Sequence, residues 1–169
     1  MPGNKETIFK TPHGSHLYNL AHENSDEDWF TVIDYRNNKA RYAKQKIFGV
    51  EDSLVTNMGT FMLYAEKGVP QYLEAMFSQL ATVDHIKYMR EQFRPDTAKA
   101  YQTYVRTIRA FYEQDDFKHR RHAMRLAFNL RDLLIVGRFD PTLDDDKVRI
   151  LNSEADSITL EEIERIYHV

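Results

Sequence analysis

The chain contains no cysteine, and this absence excludes several kinds of chemistry. Without thiols there is no disulfide, no thiolate nucleophile and no zinc site built on sulfur. No apolar run approaches the roughly 20 residues that a membrane-spanning helix needs. Residues 1–6 are too polar for the apolar segment of a secretion signal. We therefore expect a cytoplasmic protein that has no membrane partner.

A strong excess of charge of one sign is also missing, since 23 Lys and Arg residues face 26 Asp and Glu residues. Binding to a polyanion would therefore require a local basic patch. One candidate patch comprises Arg36, Lys39, Arg41, Lys44 and Lys46. It is interpreted either as a charged edge strand that resists aggregation or as a contact for an RNA or DNA acceptor. The overall acidity favours the edge strand.

What the chain does have is enough apolar material for a core, with 42% hydrophobic residues that include 10 Tyr and 10 Phe among 169 residues. Strand patterns fill the first third, at 7–10, 26–33, 41–48 and 52–56. Helical patterns follow at 60–66, 71–78, 84–92, 97–113, 117–136 and 159–167. A short helix capped by Ser15 is predicted at 15–21, between the first two strands. The segment 144–146 is predicted to be an acidic loop or the start of a helix. This order predicts an α+β fold, with a small mixed β-sheet core in 1–94 and a C-terminal helical region, 95–169, packed on it. The two parts could form one domain.

Asp26 and Asp28 are the most informative residues for function. In a strand, side chains two positions apart point to the same face, so these two carboxylates would lie side by side. Paired hard oxygen ligands suit a hydrated Mg²⁺ that carries nucleotide phosphates. The preceding Gly14-Ser15 turn is small enough to approach a phosphate. The other interpretation is a solvated acidic turn, because carboxylates are mostly exposed in proteins.

Two-metal chemistry usually requires a third carboxylate, and Asp52 is the best candidate. It opens the next apolar run and could lie on a strand beside 26–33. Glu51 competes with it, since a register change of one residue would exchange their faces.

The long helix at 117–136 carries one polar face, formed by His122, Arg125, Asn129 and Asp132. This face is either a solvated stripe or the wall of a cleft. In the second case Lys118, His122 and Arg125 would bind triphosphate or base.

These residues together resemble the nucleotidyltransferase superfamily that includes DNA polymerase beta. The segments 14–20 and 25–28 are similar to the "GS-x-x-YGL…SD-x-D" signature of the RNA-ligase-associated nucleotidyltransferases of bacteria and phages. Further similarities follow in order: Asp52 before Phe61, 67–74 with "KGNPN-x-x-E", 122–126 with "HAxRL", and 133–137 with "LLxxG". Asn19 and Val69 depart from the family pattern. Asn19 replaces a glycine, but asparagine tolerates positive φ better than most residues.

The resemblance implies a metal-dependent nucleotidyltransferase, in the host cytoplasm if a phage encodes it. Gly14 and Ser15 would hold the phosphates of a nucleoside triphosphate. Asp26, Asp28 and Asp52 would bind Mg²⁺ or Mn²⁺, and Asp52 would help to deprotonate an acceptor hydroxyl on RNA or a small molecule. The alternative is a catalytically weak nucleotide-binding or regulatory protein of the same fold. The oligomeric state is left open.

Overall fold

The structure is a computed structural model that describes residues 6–35, 40–48 and 51–168. The strands are β1 (Glu6–His13), β2 (Glu27–Asp34), β3 (Ala43–Phe48), β4 (Glu51–Asn57) and β5 (Val83–Asp84). The helices are α1 (Gly14–Tyr18), α2 (Met58–Glu66), α3 (Pro70–Phe77), α4 (Lys87–Gln92), α5 (Thr97–Glu113), α6 (Phe117–Val136), α7 (Asp145–Glu154) and α8 (Leu160–Tyr167).

The strands form one mixed sheet in the order β3-β4-β2-β1-β5. β2 and β4 run parallel, whereas β1 pairs antiparallel with β2 and β5, and β3 pairs antiparallel with β4. The predicted α+β class, with a small mixed sheet followed by a helical region, is therefore confirmed. None of the described helices is both long and apolar enough to cross a bilayer.

The main core lies on the helical side of the sheet. Phe30 and Val32 of β2 are fully buried there, and Phe30 packs edge-on against Tyr72 of α3 with ring centroids 5.2 Å apart. The same buried cluster contains Leu126 of α6 and Ile163 of α8. Sheet residues and C-terminal helices therefore exclude water from a shared apolar interior, which is the main driving force for folding.

Local signals set several helix boundaries. Thr159 and Glu162 form the predicted capping box at the start of α8, since each side chain accepts from the other residue's backbone N–H. α6 ends at Gly137, whose φ of 81° is the left-handed conformation that glycine adopts at little cost. Asn19 ends α1 with a φ of 66°, as its tolerance for positive φ predicts.

Other boundaries differ from the predictions. The predicted helix at 84–92 begins only at Lys87, because Val83 and Asp84 pair with the edge of β1 as β5. The prediction of Ser15 as a helix cap is wrong: α1 begins at Gly14, and the residue before it makes no side-chain cap. Of the two predictions for the acidic segment at 144–146, the helix start is confirmed: α7 begins there, and the backbone N–H of Lys147 donates to the Asp144 carboxylate.

Candidate functional site

The Gly14 turn lies directly against the carboxylate of Asp28. His13, the last residue of β1, pairs with Asp28 of β2, and Gly14 then turns the chain with a φ of 60°. A Cβ atom added at Gly14 would lie 2.6 Å from Oδ2 of Asp28, closer than real Cβ contacts allow. Glycine is therefore required here both for its backbone conformation and for the space that it leaves.

The register between β2 and β4 places Asp28 directly opposite Asp52. Directly paired residues of neighbouring strands point to the same face, so both carboxylates lie on the face that also carries Phe30. Glu51 lies on the other face, where its Oε2 is 3.2 Å from Nζ of Lys10. Of the two candidates for the third acid, only Asp52 shares a face with Asp28.

The carboxylates repel one another at this end of the sheet. The pKa of Asp28 is raised from its ordinary value, first by partial burial and then by the negative charge of Asp52 and, more weakly, of Asp26. His13 and His16 oppose this rise. Asp52 also accepts a hydrogen bond from the side-chain amide of Gln45. Within the described ranges, no group of three or more His, Asp or Glu side chains is arranged around one metal position.

A cavity of about 450 Å³ opens beside this turn. Gly14, Ser15, Asp26 and Asp28 contribute to its lining from the strand end, and α6 contributes Lys118, Arg121 and His122. Six residues of the predicted site therefore border this single cavity, whereas Asp52 and Arg125 are not among its lining residues. Acidic groups face one side of the space and cationic groups the other, which suits a ligand that carries both phosphates and a bound cation.

His122 is neutral in this setting. Burial, followed by the positive charges of Arg125, Arg121 and Lys118, lowers its pKa from 6.5 to about 3. Its ring lies 5.4 Å from that of Phe111. Its Nδ1 atom is buried and has no hydrogen-bond partner among the described residues. A neutral imidazole here can exchange a hydrogen bond with a ligand but contributes no charge to phosphate binding.

Arg125 lies beneath the cavity wall. Its guanidinium donates to Oε1 of Glu74 at 2.6 Å and stacks 3.6 Å from the centre of the Tyr18 ring, while the Tyr18 hydroxyl donates to the other Glu74 oxygen at 2.5 Å. Arg125 and Asn129 are both buried, so the interpretation of this helix face as a solvated stripe is wrong at these positions. We therefore assign Arg125 a structural role under α1, in place of the nucleotide contact that its motif predicts.

Two residues of this region were missed by sequence reasoning. Arg121 lines the cavity, and its guanidinium also donates to the Asn152 side chain of α7 at 2.9 Å. Its offset of three from Lys118 places both on one side of α6, and this spacing could have identified it. Glu74, at the end of the segment 67–74, is the buried partner of Arg125. Its position in a motif was visible, but its partner, 51 residues away, was not.

Comparison with known proteins does not assign a family. No model of a protein family matches the chain, and no curated protein matches it. Among solved structures, the chain is similar to a nucleotidyltransferase-like protein from Exiguobacterium sibiricum, with 12% sequence identity and a TM-score of 0.34. The match covers 96% of this chain and 65% of that one, so this chain spans about two thirds of its length. A similarity of this size shows neither a family nor an activity.

Proposed function

We propose that this chain transfers a nucleoside monophosphate from a nucleoside triphosphate to an acceptor hydroxyl, with release of pyrophosphate. One observation carries the proposal: Asp28 and Asp52 are register partners at the end of the sheet, and Gly14 turns against Asp28 at the mouth of the cavity. Lys118 and Arg121 lie across that cavity. Such a site can hold a triphosphate between a cation-binding wall and a cationic wall.

Each wall has its own task in this proposal. The Gly14-Ser15 turn would offer backbone N–H groups and a hydroxyl to the phosphate oxygens, beside the Asp28 carboxylate for which the missing Cβ of Gly14 leaves room. Lys118 and Arg121 neutralise triphosphate charge, and Arg121 is held by Asn152 so that it loses little freedom on binding. In such transfers, catalysis consists mostly of positioning and of neutralising charge.

The carboxylate chemistry of the donors suits Mg²⁺ or Mn²⁺. Asp26, Asp28 and Asp52 would supply carboxylate oxygens, the ligands that hard divalent cations prefer. The repulsion that raises the pKa of Asp28 would be offset by a cation beside it. When bound, the ion supplies positive charge to the phosphate oxygens. Asp52 would also be placed to accept the proton of the acceptor hydroxyl.

The acceptor is RNA or a small hydroxylated molecule. A second function is a nucleotide-binding or regulatory protein with weak catalysis. One observation favours this alternative: within the described ranges the three aspartates form no closed set around one position, and Gln45 engages Asp52. Metal dependence of nucleotide binding separates the two functions, because a binding protein without a metal site would respond equally with and without Mg²⁺.

The first test is thermal stabilisation by each of the four nucleoside triphosphates, with Mg²⁺ and with EDTA. We expect Mg²⁺-dependent stabilisation that Asp28→Asn and Asp52→Asn abolish without loss of the folded state. Asp34→Asn is the matched control, since Asp34 lies on the same face of β2 as Asp28 but at the exposed far end of the strand. Equal stabilisation with EDTA would support the binding protein, and no stabilisation by any triphosphate would refute both functions.

The second test follows the chemistry. Incubation with each α-³²P-labelled triphosphate and a cell extract should label one class of molecule, and pyrophosphate should be released in equal amount. Asp28→Asn should remove both signals, whereas Asp34→Asn should keep them. Nucleotide binding without labelling of any component would contradict the transfer reaction.

A further inference from the structure

The second face of the sheet carries a different kind of surface. We define the open face as the side of the sheet that lies opposite Phe30 and the helices. Among the side chains that strand pairing places there are Lys10, Trp29, Thr31, Lys44, Lys46 and Ser53. It is a separate surface from the cavity described above.

The open face has a shallow concavity of about 250 Å³. Ile33 and Val55 contribute apolar surface to it, and the hydroxyls of Thr31 and Ser53, 2.9 Å apart, add polar groups. A flat amphipathic ring such as a nucleobase matches this combination, since its faces are apolar and its edges form hydrogen bonds.

Lys10 and Lys46 line the concavity, and Lys44 lies on the same face of the sheet. The Lys10 ammonium lies 4.2 Å from the centre of the Trp29 ring, and it also forms an ion pair with Glu51. No carboxylate of the described residues pairs with Lys44 or Lys46. Three lysines thus face Glu51 and its register partner Glu27, although the whole chain has a net charge of −3. The local sign of charge is opposite to that of the chain and complementary to phosphate.

A protective role for an edge strand explains only part of this pattern. Lys44 and Lys46 lie on β3, which is an edge strand, and charged edge strands resist aggregation. Lys10, however, lies on β1, which has strands on both sides. Edge protection therefore does not account for a lysine held over Trp29. Arg36 and Lys39, two other residues of the basic patch seen in the sequence, lie outside the described residues.

We propose that the open face binds a single-stranded polynucleotide, with a base in the concavity and backbone phosphates against Lys10, Lys44 and Lys46. This inference depends on the proposed function, because it identifies the acceptor as a nucleic acid strand. Continuity with the site supports it: Trp29 of the open face and Asp28 of the cavity are consecutive residues of β2. Consecutive strand residues point to opposite faces of the sheet, so a polynucleotide on the open face would reach the carboxylates by passing around this end of the sheet.

Trp29 is the only tryptophan in the chain, so its fluorescence reports on the open face alone. We expect octauridylate and octathymidylate to quench it, in the absence of nucleotide and metal. Three phosphate contacts predict that the logarithm of the binding constant falls with the logarithm of salt concentration with a slope of about −2. A preference for the RNA over the DNA oligomer would indicate contact with the 2′-hydroxyl.

The Lys44→Gln/Lys46→Gln double variant should bind at least about tenfold more weakly and show a salt slope of about −0.7, as expected for one remaining phosphate contact. Lys87→Gln/Lys99→Gln is the charge-matched control, since both lysines are exposed on helices, and it should bind like the unmodified chain. An unchanged slope in the first variant, or no quenching by either oligomer, would overturn the proposal. Equal quenching by polyglutamate would instead indicate an acidic protein partner and would also overturn it.

Failure of the open-face proposal can be distinguished from failure of the transferase proposal. Oligonucleotide binding is measured without triphosphate, and triphosphate stabilisation is measured without oligonucleotide. If Mg²⁺-dependent triphosphate stabilisation persists while no oligomer binds, only the open-face proposal fails. If oligomers bind but no triphosphate stabilises the chain, the transferase proposal fails.

Discussion

The buried pair of Glu74 and Arg125 offers a sharp test of how the chain supports its candidate site. Glu74 and Arg125 have only 1% and 4% of their surface exposed, and their charged atoms lie 2.6 Å apart. Tyr18 completes the cluster by donating to Glu74 and stacking on the guanidinium. The substitution Glu74→Gln keeps the shape of the side chain but removes its charge, which leaves a buried guanidinium without a counter-ion.

Removing one partner of a buried ion pair typically costs roughly 3–5 kcal/mol. Because glutamine can still accept a hydrogen bond, we expect Glu74→Gln to cost about 3 kcal/mol, at the lower end of that range. This is a large part of the roughly 5–15 kcal/mol by which a domain is usually stable. Urea denaturation followed by circular dichroism at pH 7 measures the free energy of unfolding directly.

A double variant isolates the charge effect. Glu74→Leu/Arg125→Leu removes both charges, so no uncompensated ion stays buried, and it should be more stable than Glu74→Gln alone. The reasoning is refuted if Glu74→Gln costs less than about 1 kcal/mol, the size of an ordinary neutral hydrogen bond. It is also refuted if the double variant is the less stable of the two.

Three further predictions concern the turn, the cavity and a helix cap. Gly14→Ala should destabilise the chain by at least about 1–2 kcal/mol, the cost of a left-handed alanine. By displacing Asp28 it should also abolish the Mg²⁺-dependent stabilisation by nucleotide. Unchanged stability together with unchanged nucleotide stabilisation would contradict the close contact between Gly14 and Asp28. The pKa of His122 is about 3 in the folded chain and about 6.5 in the unfolded chain. Its contribution to the free energy of unfolding is therefore fully present above pH 6.5 and is lost as the pH falls. The loss between pH 7 and pH 5 should be about 2 kcal/mol. His122→Phe should reduce that loss in urea titrations at the two pH values, and an equal loss in both proteins would count against a buried neutral imidazole. Asp144→Ala should lower the free energy of unfolding by about 1 kcal/mol, because it removes the cap of α7. Urea denaturation measures this change. A change below about 0.3 kcal/mol would show that the capping hydrogen bond adds little stability.

Several features of the fold could be predicted from the sequence because they depend on neighbouring residues. The capping box of Thr159 and Glu162 spans three positions, and the end of α6 at Gly137 depends on one residue's freedom at positive φ. Short-range geometry limits such segments to few conformations, so their patterns can be read before the fold is known.

Pairing between distant segments was decided only in the tertiary structure. The choice between Glu51 and Asp52 depends on the register of β4 against β2, and a shift of one residue would reverse it. β5 exists because Val83 meets the edge of β1, and no local pattern revealed that contact. Arg125 belongs to a motif that predicts a ligand contact, yet it pairs with Glu74 because the packing of α3 against α6 buries both charges together. Neighbouring residues constrain backbone angles and spacing, whereas the partner of a buried charge or a strand edge is selected only when the whole chain packs.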